Sequence, residues 1–180
     1  IAQIQESPEK KAKSFFAMAQ VVLEKMGDPV RAAQLFDQVL DIDKKRLDAF
    51  ELLVRALTEA KDWELLEVSY RKMIARIKDD PEVNTNLQFA LFHQLGLIYR
   101  DRLEDAERAY EALEAAARLR PDDTAVRKIV TELLVVTDNL DNAVARSREL
   151  IARDPHDAEL YSELYELFLR QHFFDKAWCA

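Results

Sequence analysis

Apolar residues recur along the chain at the three- and four-residue spacing of amphipathic α-helices. Phe15, Ala19, Val22 and Met26 follow this spacing near the start, and no segment of useful length alternates as a β-strand does. Short polar stretches separate the apolar segments. The pattern predicts an all-α chain of about ten helices joined by short turns.

Proline next to a polar residue marks the helix ends. Ser7-Pro8, Asp28-Pro29 and Asp80-Pro81 predict helix starts, because the first side chain can accept a hydrogen bond from an unpaired N–H and proline needs no donor there. Proline also predicts breaks within residues 120–123 and 153–157. With only 2 Gly among 180 residues, few turns can need positive φ, and the helices are expected to form closely linked pairs.

The helix pairs repeat every 34 residues. Equivalent residues 34 positions apart are Phe16 and Phe50, Ala109 and Ala143, and Pro121 and Pro155. The predicted units are 13–46, 47–80, 89–122, 124–157 and an incomplete 158–180, with a polar insertion at 79–88. The chain is therefore predicted to be one repeat domain, residues 1–180.

This pattern resembles the tetratricopeptide repeat (TPR), a 34-residue pair of antiparallel helices with small, aromatic and proline residues at set positions. The third unit carries the motif best, with Phe92, Leu95, Gly96, Tyr99, Ala109, Leu113, Ala116 and Pro121. The resemblance implies an all-α, right-handed superhelical solenoid of antiparallel helix pairs. It also implies a concave surface formed by the first helix of each pair, and small residues such as Gly96 that let paired helices approach closely.

The resemblance further implies a partner-binding groove on the concave surface. It implies that positions 2, 5, 6, 9, 12 and 13 of each first helix face the concave side, which we call the groove rule. The candidate groove residues at these positions are Arg55, His93, Gln94, Arg100, Lys128, Glu132, Glu163 and Glu166. TPR proteins that clamp a C-terminal carboxylate use Lys and Asn at set groove positions, and this chain lacks that pairing. The apolar Ala17, Met18 and Val21 at the N-terminal end either bind a hydrophobic or helical segment or pack against a neighbour.

Catalytic and metal-binding constellations are not apparent in the sequence. His93, His156 and His172 are scattered without ligand spacing, and Cys179 has no histidine at a spacing that would activate it. The serines lack a nucleophile-elbow motif, and there is no glycine-rich phosphate loop. The sequence thus predicts a non-enzyme without metal or cofactor.

Net charge and composition limit the classes of partner that the protein is expected to bind. With 26 Lys+Arg against 34 Asp+Glu, the net charge of −8 opposes binding to nucleic acid or anionic membranes. No apolar run approaches the roughly 18 residues of a membrane span, and a single cysteine is typical of a reducing compartment. A soluble, cytoplasmic protein without membrane insertion is expected.

The most direct interpretation is a non-catalytic protein–protein interaction scaffold that binds a peptide or helix in its groove. The alternative is a regulatory or self-associating TPR segment of a larger multidomain enzyme or signalling protein. The chain begins without Met and its pattern stops at Trp178-Cys179-Ala180, so a fragment of a longer chain is expected. Its incomplete last unit, with Phe168, Phe173, Phe174 and Trp178, presents an apolar end that can self-associate.

Overall fold

A computed structural model describes residues 7–78, 80, 84–173, 176–177 and 179. Within these residues the regular structure is entirely helical, as predicted for an all-α chain. The α-helices are α1 (Pro8–Val21), α2 (Pro29–Ile42), α3 (Leu47–Ala60), α4 (Trp63–Ile77), α5 (Thr85–Asp101), α6 (Ala106–Leu119), α7 (Thr124–Val136), α8 (Leu140–Arg153) and α9 (Ala158–Arg170), with a π-helical turn at Val22–Met26 after α1. A tenth helix would fall on 173–180, where residues 174, 175, 178 and 180 lie outside the described part.

The observed helix starts follow the predicted capping chemistry. Ser7 accepts a hydrogen bond from the Lys10 backbone N–H at 3.4 Å, and Asp28 accepts one from the Arg31 N–H at 2.9 Å. Next to the start predicted at Asp80-Pro81, the described helix α5 begins at Thr85, where the Asn84 side chain accepts a hydrogen bond from the Asn86 N–H at 2.8 Å. Residues 81–83 lie outside the described part, and the start at Asp80-Pro81 stays a prediction.

The chain folds into two compact units, residues 1–83 and 84–180. In the first, an aromatic pair joins the two helices of each repeat. The rings of Phe16 and Phe36 lie edge to face at 5.5 Å, and those of Phe50 and Tyr70, 34 residues further on, do the same at 5.2 Å. The 34-residue spacing in the sequence therefore corresponds to an aromatic contact that recurs between paired helices.

Ion pairs also link the second helices of successive repeats in the first unit. The Arg76 guanidinium on α4 lies 2.6 Å from an Asp37 carboxylate oxygen on α2 and also contacts Asp41. Lys72 contacts the same Asp37 at 2.6 Å. Arg76 is the more buried cation, with 14% of its side chain exposed against 52% for Lys72, so its pairing carries more of the linkage.

In the second unit, a glycine allows two paired helices to approach closely. A Cβ atom placed on Gly96 of α5 would lie 2.4 Å from Cγ of Leu113 on α6. Leu113 is fully buried, and Ala109 and Ala116 on the same helix are buried as well. The predicted role of small residues is thus visible at this contact.

The C-terminal part of the second unit has its own apolar core. Leu134 of α7, Ala143 and Val144 of α8, and Leu164 and Phe168 of α9 form a buried cluster. Phe168, expected in an exposed apolar end, is therefore buried, whereas Phe173 is 42% exposed. Phe174 and Trp178 lie outside the described residues, and self-association through this end stays a prediction.

Candidate functional site

A cavity of about 390 Å³ lies between α7 and α9, open to solvent on one side. These are the first helices of two successive repeats, with α8 as the second helix of the earlier one. The lining residues are Thr131, Glu132 and Val135 of α7, with Glu159, Ser162, Glu163, Glu166, Leu167 and Arg170 of α9. We call this space the α7–α9 cavity.

Helical spacing explains why these side chains share one face. Leu164 and Phe168 direct one side of α9 into the apolar core with Leu134 and Ala143. Glu159, Ser162, Glu166 and Arg170 recur three or four residues apart on the other side, with Glu163 four residues after Glu159, so these side chains lie next to one another along the cavity. The apolar core of the repeat thus orients a row of polar groups.

Lys128 of α7 is committed to an ion-pair network at the edge of this region. Its ammonium lies 2.9 Å from a Glu159 carboxylate oxygen and 3.2 Å from one of Asp157. The hydrogen bond to Glu159 is the main reason that the pKa of Lys128 is raised to about 12. The same lysine lowers the pKa of Asp157 through its hydrogen bond. Lys128 therefore neutralises carboxylates of α9 and joins the two first helices.

Glu163 is the half-buried carboxylate of the α7–α9 cavity. Burial raises its pKa, and Lys128 acts in the opposite direction. The negative charges of Glu159, Glu132 and Asp157 add to the rise. The cavity therefore combines a largely apolar lining with an excess of negative charge.

Glu132 and Glu166 are exposed carboxylates on opposite sides of the same cavity. Within the described part of the chain, no ion pair or hydrogen bond occupies the carboxylates of Glu132, Glu163 or Glu166. These three carboxylates are therefore free to bind a ligand, whereas Glu159 is already paired with Lys128.

A smaller cavity of about 270 Å³ lies beside the first, between α5 and α7, and shares Glu132 with it. Arg100 lines this space together with Glu104, Ala106 and Val136. The Arg100 guanidinium donates to its neighbour Asp101 at 2.6 and 3.0 Å. Asp101 therefore already neutralises part of the charge of Arg100 within α5.

The first unit has a separate cavity of about 490 Å³ at α3 and α4. Phe50, Val54 and Tyr70 form its apolar wall, and Glu51, Arg55, Thr58 and Glu59 its polar edge. Arg55 is exposed there. Like the α7–α9 cavity, this one presents first-helix side chains beside an apolar surface.

The structure brings together some predicted groove residues and separates others. Glu132, Glu163 and Glu166 line one cavity, with Lys128 at its edge and Arg100 in the adjoining cavity. Arg55 belongs to the other compact unit. His93 and Gln94 line none of these three cavities. The His93 ring instead stacks on Phe89, with centroids 5.6 Å apart and the planes 6° from parallel.

Six of the nine cavity residues were missed by the sequence analysis, and three of these six are Glu159, Ser162 and Arg170. They occupy positions 2, 5 and 13 of the last repeat, the same first-helix positions that the groove rule uses. Applying that rule fully to the incomplete repeat would have found them. Thr131 and Leu167 lie outside those positions, and only the packing of the helices reveals them.

The described residues contain no group of three or more His, Cys, Asp and Glu side chains placed to hold a metal ion. Among the helices that the structure describes, none has both the length and the apolar character needed to cross a membrane.

The fold is an all-α helical repeat of the tetratricopeptide type, as shown by solved structures that superimpose over nearly the whole chain. YrrB, a TPR protein with an unusual peptide-binding site, aligns with a TM-score of 0.58 and 19% identity over 96% of this chain and 87% of its own. MamA from Desulfovibrio magneticus RS-1 gives a TM-score of 0.56 and 16% identity over 93% of this chain and 89% of its own.

Similarity also extends to parts of longer chains. The structure of Naa15/Naa10 bound to HypK-THB aligns with a TM-score of 0.60 and 14% identity, covering 92% of this chain and 24% of the other. In sequence, Superkiller protein 3 of Schizosaccharomyces pombe is 27% identical over 97 residues, 54% of this chain. The chain spans 7% of the length of that relative. None of the known protein-family models matches the chain.

Proposed function

We propose that this chain is a non-catalytic protein–protein interaction scaffold that binds a peptide or helix of a partner protein along its first helices. The α7–α9 cavity is the main contact site. The observation that carries the proposal is that α7 and α9, first helices of successive repeats, line one open cavity with an apolar wall and unpaired carboxylates. Such a surface suits a side chain presented by a partner segment.

The comparisons support the same interpretation. The similar fold of YrrB has a peptide-binding site, and a TPR-like repeat is part of the structure of Naa15/Naa10 bound to HypK-THB. The net charge of −8 favours a protein partner over nucleic acid, and a single cysteine in 180 residues supports a reducing setting such as the cytoplasm.

The predicted groove residues take different parts in this proposal. Glu132, Glu163 and Glu166 contact the partner in the main cavity, and Lys128 holds Glu159 and α9 in place beside it. Arg100 contacts the partner from the adjoining cavity. Arg55 supplies a polar contact at the cavity of the first unit, and His93 and Gln94 supply polar contacts on α5 of the second unit.

A random peptide library displayed on phage tests this function. Peptides selected on the immobilised protein are titrated against the wild type, Ser162→Trp and Ala145→Trp. Ser162 lines the cavity, whereas Ala145 is exposed on α8 and adds the same bulk away from it. We expect Ser162→Trp to weaken binding about tenfold or more, and Ala145→Trp to change it less than about twofold, since only the former fills the cavity.

Two results would contradict the proposal. One is a library that yields no peptide with saturable binding. The other is equal affinity of the two tryptophan variants for every selected peptide. Circular dichroism and the thermal midpoint of each variant establish that it is folded before binding is compared.

A further inference from the structure

The α7–α9 cavity has an unbalanced charge that its own residues do not neutralise. Four glutamates line it, and Arg170 is the basic residue in the lining. Lys128 compensates one of them by its 2.9 Å contact with Glu159. Within the lining, the three carboxylates of Glu132, Glu163 and Glu166 still face one guanidinium, while Arg100 of the adjoining cavity attracts Glu132. An arriving cation therefore meets an attractive field, and an arriving carboxylate meets a repulsive one.

The size and lining of the cavity indicate which kind of cation it can bind. A volume of about 390 Å³ is in the range of pockets that bind organic groups, and far exceeds what a single ion needs. Val135 and Leu167 supply apolar wall, and the described residues lack a carboxylate cluster placed for a metal ion. The cavity suits a charge at the end of an aliphatic stem.

We propose that the α7–α9 cavity binds an arginine or lysine side chain of a partner protein segment, with an apolar residue of that segment lying against Val135 and Leu167. This inference rests on the proposed function and specifies the partner chemistry. The stem of the bound side chain packs on the apolar wall. Its cationic head pairs with Glu132 of α7 and with Glu163 and Glu166 of α9, and so bridges two repeats.

The position of Glu163 strengthens this charge argument. Its carboxyl is half-buried, and burial together with neighbouring carboxylates raises its pKa. A half-buried carboxylate among other negative charges is energetically unfavourable, so a guanidinium or ammonium bound beside Glu163 is stabilised there. A neutral or acidic partner residue would leave the Glu163 carboxylate without a cation. The cavity is therefore selective for a basic residue.

The selected peptides themselves give the first test. We expect arginine or lysine at one position in peptides whose binding is lost in Ser162→Trp. Replacing that arginine by citrulline, or that lysine by norleucine, keeps most of the shape and removes the charge. We expect about 10- to 100-fold weaker binding, because the peptide then leaves the carboxylates unpaired.

Two charge variants of the protein give the second test. E132Q/E166Q removes two cavity carboxylates, and E107Q/E111Q removes two exposed carboxylates of α6 that line none of the described cavities. Both pairs change the net charge by the same amount, so an effect of net charge alone would be the same for both variants. We expect E132Q/E166Q to weaken a cationic peptide about 3- to 30-fold, and E107Q/E111Q to stay within about twofold.

The outcomes separate the two proposals. If peptides bind the wild type and lose affinity in Ser162→Trp but contain no essential cation, this inference is wrong and the scaffold function stands. If no peptide depends on the cavity, the scaffold function fails as well. If the protein alone sediments as a dimer that E132Q/E166Q dissociates, a second copy of this chain occupies the cavity, and the inference is overturned.

Discussion

Gly96→Ala should destabilise the protein even though alanine is the better helix former. The new Cβ would lie 2.4 Å from Cγ of Leu113 and 3.0 and 3.2 Å from its two δ-carbons. Leu113 is fully buried, so its side chain cannot relieve the contact by turning out into solvent. Overpacking of this kind costs about 1–3 kcal/mol, whereas the helix gains about 1 kcal/mol from alanine. We expect a net loss of about 0–2 kcal/mol.

A double-mutant cycle separates the two contributions. Leu113→Ala alone should cost about 2–5 kcal/mol, because it leaves a cavity between α5 and α6. In that background the clash is gone, so Gly96→Ala should stabilise the protein by about 1 kcal/mol through helix propensity. The sign of the Gly96→Ala effect is thus expected to reverse. Urea unfolding followed by circular dichroism gives the four free energies of unfolding.

Gly27 provides the control for this cycle. It has a φ of +64° and no heavy atom within 4 Å of an added Cβ, so Gly27→Ala costs stability through backbone strain alone. Its effect should be the same with Leu113 or Ala at position 113. Stabilisation by Gly96→Ala of about 1 kcal/mol in the wild-type background would refute the close approach of α5 and α6.

Two further predictions concern charge. Arg76→Met should lower the free energy of unfolding by about 1.5–3 kcal/mol, because it leaves Asp37 without its more buried partner. Lys72→Met should lower it by only about 0.2–1 kcal/mol. Equal losses for the two variants in urea unfolding would contradict this. Acidification should also destabilise the fold, because the hydrogen bonds from the Arg108 backbone N–H and guanidinium lower the pKa of Asp105. The contribution of Asp105 to stability is present above its unfolded pKa of about 3.9 and is lost as the pH falls through its lower folded pKa. A urea unfolding midpoint that does not change between about pH 6 and pH 3 would contradict this prediction.

Much of the fold could be predicted because its signals are local. The Ser7 and Asp28 caps depend on hydrogen bonds within one helical turn, and the structure has them. The 34-residue offset from Phe16 to Phe50 reappears as equivalent ring contacts. The start of α5 was harder to place, because an asparagine cap at residue 84 competes with the more conspicuous Asp80-Pro81.

The candidate site could be predicted only in part. Repeat register places Glu132, Glu163 and Glu166 on first helices, and the structure gathers them at one cavity. The same register rule treats Lys128 as a groove residue like the others. Its commitment to Glu159 and Asp157 is a contact between side chains about 30 residues apart, which register alone does not contain.

The amino-acid pattern by itself determined the helices, their pairing and their period, because helical spacing and capping operate over a few neighbouring residues. Tertiary packing decided which charged groups neutralise one another and which face open space. The α7–α9 cavity exists because α9 turns Leu164 and Phe168 into the core with α8, which leaves its glutamates beside α7. Burial and charge pairing depend on all neighbours at once, so they emerge only when the helices are in place.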